Sequence, residues 1–147
     1  MRRPELDHIL SKMLDSTPMT NSTTVVDARK DVSDLNFTVN KPLQVEYSGQ
    51  LISVICDPAI DVLTPYQTEM IALNLVNGNP RLTEDLLSTG SCDCSYSLSD
   101  QARFRVNIFS QRGNLSIVMR KLNTEIPTLR DLRMPDIFLQ VAREKTG

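Results

Sequence analysis

Four arginines fall in one short stretch of this 147-residue chain, Arg103, Arg105, Arg112 and Arg120, and they are its side chains best suited to chemistry. Between Gln101 and Arg120 apolar and polar residues alternate on either side of Gln111-Arg112-Gly113-Asn114, which reads as a β-hairpin. Phe104, Val106 and Ile108 take one face of it, and Arg103, Arg105 and Asn107 the other. With a four-residue loop from Gln111 to Asn114, Ser110 pairs with Leu115, which puts Phe104, Val106 and Ile108 on the face of Leu115, Ile117 and Met119, and that continuity of apolar side chains fixes the register. The same register sets Arg105 directly across from Arg120, with Arg103 one step away. Like charges opposite each other destabilise a sheet, so such a pair either splays into water or shares an anion. A solvated basic face is the commoner outcome. The sharper reading is a phosphate or carboxylate clamp, which the planar guanidinium fork serves well.

The other candidates carry less. Cys56, Cys92 and Cys94 are too few for a disulfide framework, and a zinc site wants about four Cys/His ligands while His8 is the only histidine. Cys92, Cys94, Tyr96 and Leu98 share one face of a strand pattern, so both cysteines are expected to pack as small hydrophobes, with no metal bound.

Net charge is only −2, but it is unevenly spread. Residues 1–102 hold 7 Lys/Arg against 14 Asp/Glu, and residues 103–147 hold 9 against 4. A basic C-terminal third suggests a surface turned toward something anionic: nucleotide phosphate, nucleic acid, membrane headgroups or an acidic partner. Hydrophobic content of 40% and charged content of 23% are those of a globular domain. No apolar run approaches the roughly 20 residues of a membrane span. The sequence after Met1-Arg2-Arg3-Pro4 lacks the apolar stretch of a secretory signal, so a cytoplasmic location is expected.

The elements that must position the arginines follow from periodicity. Leu6, Ile9, Leu10, Met13 and Leu14 repeat at helical spacing over 4–15, and the polar run Ser16 to Asp31 reads as a loop with a short extended piece at Val25-Val26. Strand alternation covers 35–39, and 43–47 with 51–55 form a hairpin around Ser48-Gly49. Thr64-Pro65-Tyr66-Gln67 is a capping box with proline at the first helical position, and that helix ends at Asn77-Gly78. Asn79-Pro80 opens a second helix ending near Gly90; strands follow at about 92–98, 102–110 and 115–122, and a last helix is expected over 136–145 after Pro127 and Pro135. Strands that do not alternate with helices favour an α+β fold, a mostly antiparallel sheet with flanking helices and a C-terminal linker helix.

On these residues the chain resembles the type IV pilus retraction (twitching motility) ATPases. Arg103-Phe104-Arg105-Val106-Asn107-Ile108-Phe109-Ser110-Gln111-Arg112-Gly113 is similar to that family's RFRVNxFxQRG signature. Ser33-Asp34-Leu35-Asn36-Phe37, Tyr47-Ser48-Gly49-Gln50-Leu51, Leu63-Thr64-Pro65, Asp93-Cys94-Ser95-Tyr96-Ser97-Leu98 and Ile126-Pro127-Thr128-Leu129 resemble further family motifs in the same order, over about residues 33–147. Asn36 stands where the family has histidine, Cys94 where it has an aromatic residue, and Ser16 to Asp31 reads as an insertion, which together suggest a divergent paralogue. The family has apolar residues at both cysteine positions.

The resemblance implies a PAS-like N-terminal domain over 33–122, preceded by a helix and polar loop over 1–32. Residues 123–147 would lead to a RecA-like ATPase domain with a Walker A loop. It also implies a hexameric cytoplasmic motor working with the inner-membrane pilus machinery, with ATP and Mg2+ as cofactors of the full-length protein. Arg103, Arg105, Arg112 and Arg120 are then candidates to reach the nucleotide phosphates, or, for Arg112, a neighbouring subunit. Without the P-loop lysine and Ser/Thr, these 147 residues alone are expected to hydrolyse nothing. A PAS-like small-molecule sensor, or an interaction domain of a secretion ATPase paralogue, is the alternative. A nucleic-acid binder fits less well, because no aromatic residues interleave with the arginines on their face.

Overall fold

The computed structural model describes residues 3–15, 31–56 and 59–123, together with Arg133, Pro135, Ile137 and Val141. The strands are β1 (Val32–Phe37), β2 (Gln44–Tyr47), β3 (Gln50–Ser53), β4 (Ser91–Leu98), β5 (Ala102–Gln111) and β6 (Asn114–Leu122). They form one six-stranded sheet in the order β3-β2-β1-β6-β5-β4, antiparallel at every pairing. Among the described residues three helices accompany it, α1 (Arg3–Leu14), α2 (Pro65–Val76) and α3 (Pro80–Thr89). This is the α+β class with an antiparallel sheet and flanking helices that the sequence predicts.

Sequence alternation sets which face of the sheet is covered. Phe104, Val106, Ile108, Ile117, Met119, Leu35 and Phe37 have no exposed surface, and they meet Leu6, Leu10 and Met13 of α1 and Ile71, Ala72 and Leu75 of α2 in one core. The helix α2 lies over β6 and touches α1, whereas α3 packs beside β4. All four apolar positions of α1 that face inward, Leu6, Leu10, Met13 and Leu14, are buried, so this helix contributes to the same core as the sheet. Two polar contacts tie it down further: Tyr96 Oη donates to Asp7 Oδ1 at 2.6 Å, and Ser11 Oγ donates to Gln101 Oε1 at 2.7 Å.

The helix ends are where the capping signals predict. Thr64 Oγ1 accepts from the Gln67 amide while the Gln67 side chain accepts from the Thr64 amide, the reciprocal box that satisfies two otherwise orphaned donors. At the other end of α2, Asn77 itself takes the left-handed conformation at φ 51°, with Gly78 following at 68°, so the turn uses both residues rather than the glycine alone. The first strand starts earlier than its apolar alternation suggests, at Val32: Val32 pairs with Tyr47 and Asp34 with Glu46, with a bulge at Ser33 between them. Val39 instead makes a parallel bridge to Leu63. The expected helix over 136–145, save Ile137 and Val141, and the loop from Ser16 to Asp31, save Asp31, lie outside the described residues.

Candidate functional site

Three of the four arginines share the face of the sheet opposite the core, and no described helix covers that face. The β5–β6 ladder has the register that apolar continuity demands: Ser110 pairs with Leu115, Val106 with Met119 and Arg105 with Arg120. The hairpin closes with Gln111 opposite Asn114, so the turn is two residues and not the four that the sequence suggests, Arg112 at φ 52° and Gly113 at φ 77°, and the ladder runs one pair further with the same register. Positive φ at both central residues matches the right-handed twist of the flanking strands. The Ser48-Gly49 turn of β2 and β3 does the same at φ 48° and 79°.

Reading the registers across the whole sheet gives one continuous row on the open face: Leu51, Glu46, Asp34, Arg120, Arg105 and Ser95, from β3 to β4. Its middle is two carboxylates followed by two guanidinium groups. Arg103 lies opposite Leu122 on one side and Ser97 on the other, two residues along β5 from Arg105. In the adjoining row Asn107 Nδ2 donates to Asp93 Oδ1 at 3.2 Å, which engages the nearest carboxylate of β4.

The row explains how two arginines can sit face to face. Arg120 donates through Nε to Asp34 Oδ1 at 3.0 Å, and Asp34 is buried while the Arg120 side chain is 69% exposed. The hydrogen bond and charge of Asp34 hold the Arg120 guanidinium above the usual arginine range, and Glu46 adds to the effect. Arg120 is thus already partly neutralised from the β1 side. Arg103 and Arg105 are exposed and form no ion pair among the described residues.

The fourth arginine is elsewhere. Arg112 is exposed at the hairpin tip, seven residues along from Arg105, about 23 Å at the rise of an extended strand. Two extended arginine side chains cannot close that gap on one phosphate, so Arg112 does not belong to the Arg103–Arg105–Arg120 cluster. The residues that sequence reasoning misses are Asp34 and Glu46. Their polar alternation in β1 and β2 put them on the open face, but their nearness to Arg120 depends on the pairing of β1 with β6 across 86 positions of sequence.

The cysteines are core residues or border on the core. Cys56 and Cys92 are buried and Cys94 is half-buried, and all are free thiols. Burial raises the Cys56 and Cys92 thiols, and burial, then the neighbouring Cys92 and Asp93, push Cys94 up to about 11. A thiol held neutral in this way is a poor nucleophile and a poor metal ligand.

No family model matches the chain. It is 33% identical over 118 residues to the type IV pilus ATPase PilU of Pseudomonas aeruginosa, which covers 80% of this chain and 29% of PilU. It is 27% identical over 121 residues to the type IV pilus retraction ATPase PilT of the same organism, covering 82% of this chain and 33% of PilT. Among solved structures, the pilus retraction motor PilT with bound ADP superposes at a TM-score of 0.67 with 31% identity, over 79% of this chain and 32% of that one. The chain therefore spans about a third of the length of the relatives it matches. Over some four-fifths of its length it is a homologue of the type IV pilus ATPases, and its fold is that of their N-terminal domain.

Proposed function

We propose that this chain is the N-terminal regulatory and assembly domain of a hexameric, cytoplasmic pilus-retraction-type motor ATPase acting at the inner-membrane pilus machinery. Residues 33–122 form its PAS-like unit, and 123–147 lead on to a RecA-like domain that holds ATP and Mg2+. The open sheet face turns toward that nucleotide. One observation carries the reading: Arg103 and Arg105 stand side by side on a face that no described helix covers, with no carboxylate partner among the described residues, beside an Arg120 that has one. Arginine forks suit the phosphate oxygens of a nucleotide, and cations placed there neutralise charge as a phosphoryl group transfers. The solved PilT relative holds ADP, which supports a nucleotide as the anion. Arg112, remote from the cluster, is assigned to contact with a neighbouring subunit.

The sensor reading has less behind it. Such a domain would keep its ligand between sheet and helices, where Leu6, Leu10, Phe37, Phe104 and Ile108 pack against one another with no exposed surface.

The test is made in the full-length protein. Arg105→Ala should lower the kcat for ATP about 100-fold, the usual scale for removing one preorganised donor, without moving the thermal midpoint. Unchanged turnover would remove Arg105 from the mechanism and the reading with it.

A further inference from the structure

The open-face row contains a carboxylate that is not needed to solubilise the sheet. Asp34 is 6% exposed, lies on the side that no described helix covers, and accepts from a single nitrogen of Arg120, Nε, at 3.0 Å. Arginine has five N–H donors, so this contact takes one and leaves four on the two terminal amino groups. A two-point grip would consume a second donor. Arg105 is the neighbour on the other side of Arg120 in the same row. Without a carboxylate at position 34, two guanidinium groups in directly opposed positions would repel, and the long, exposed Arg120 side chain would swing into water.

We infer that Asp34 is a positioning residue for the anion site, one that anchors Arg120 by Nε so that its terminal amino groups stay beside Arg105 for a shared phosphate. This rests on the nucleotide-facing role proposed above. Three features of Asp34 suit the task. It is buried, so its own orientation is fixed by the sheet. It sits in β1, which pairs directly with β6, so the anchor does not depend on a loop. Its charge offsets one of the two positive charges that the clamp requires. Glu46, next in the row, reinforces that charge.

The experiment compares Asp34→Ala, Asp34→Asn and Arg105→Ala in the full-length ATPase, with kcat and KM for ATP and the thermal midpoint measured for each. Asparagine keeps an oxygen that can accept from Arg120 Nε, whereas alanine does not. Asp34→Ala is expected to lower kcat roughly tenfold, less than the ~100-fold that a badly misplaced group can cost, with KM changed less than kcat. Asp34→Asn should recover most of that loss. A purely structural role for Asp34 would show instead as a lowered midpoint with kcat intact in the folded fraction, and that result overturns the inference. Equal loss in Asn and Ala variants overturns it too, since the retained acceptor would then count for nothing. If Arg105→Ala has no effect, the nucleotide-facing reading itself has failed; if Arg105→Ala slows turnover and Asp34→Ala does not, only the positioning role has.

Discussion

Asp34 and Arg120 are bonded to each other but not equally dependent. The arginine is mostly in water and would be solvated without its partner, while the carboxylate is buried and would be left with an unmet charge. The pair is therefore a local device that keeps Asp34 tolerable where it sits and holds Arg120 across from Arg105. Burial raises the three thiols and the Tyr47 and Tyr96 hydroxyls alike. Cys94 donates weakly to the Leu75 carbonyl at 4.0 Å, and its thiol is pushed up to about 11 from an ordinary 9.0, chiefly by burial. A thiol raised in the folded state adds stability that is fully present below the unfolded value and is lost as pH climbs through the folded one. Stability in urea should thus hold steady to about pH 8 and fall between roughly 9 and 11. Cys94→Ala should flatten part of that fall, as read from urea midpoints across the pH series; a slope identical to that of the parent would mean the thiol is not held neutral by the fold. Cys56, Cys92 and Tyr96 are raised as well, and they supply the remainder.

At the scale of elements, the hairpin that carries the arginines was legible because its information is local. Alternation names the two faces, apolar continuity fixes the register, and glycine marks the turn; Arg105 opposite Arg120 follows from these alone. The capping box at Thr64 is legible for the same reason. The pairing of β1 with β6 was not. It joins Asp34 to Arg120 across most of the chain, and no local pattern encodes which edge of a hairpin a distant strand will choose. The candidate site as read from sequence therefore has its cations and lacks the carboxylate bonded to one of them. One local choice does run against propensity: Arg112 takes φ 52°, where asparagine is favoured and a long side chain is strained by about 1–2 kcal/mol. Arg112→Asn should accordingly raise the unfolding free energy by about 0.5–1 kcal/mol in urea titrations of this chain. If the assigned subunit contact is correct, the same change weakens assembly of the full-length protein. A variant no more stable than the parent would show that the turn carries no strain.

For the whole molecule, the question is whether α1 is an appendage or part of what folds. Its inward residues Leu6, Leu10, Met13 and Leu14 are among the most buried in the chain, and they meet the inner face of the sheet that has the arginines on its outer side. Tyr96 and Gln101 clamp the helix from the β4–β5 corner, with Arg3 stacked over the Tyr96 ring at 5.3 Å. The proposed anion site, three guanidinium groups in fixed relation, needs a stiff sheet, and the stiffness comes from the packed layer behind it. Leu10→Ala leaves a cavity where α1 meets that layer and should cost about 2–5 kcal/mol, a large share of the roughly 5–15 kcal/mol that holds a domain together. The loss should appear as a lower urea midpoint in one transition, with far-UV circular dichroism and exposure of the Cys94 thiol moving together, because Leu10 and Cys94 border one core. If the thiol is exposed only after the helical signal has gone, α1 unfolds separately and the arginine face does not depend on it. A midpoint left unchanged by Leu10→Ala would give the same answer more simply, since a residue with no exposed surface in a shared core cannot lose its side chain without cost.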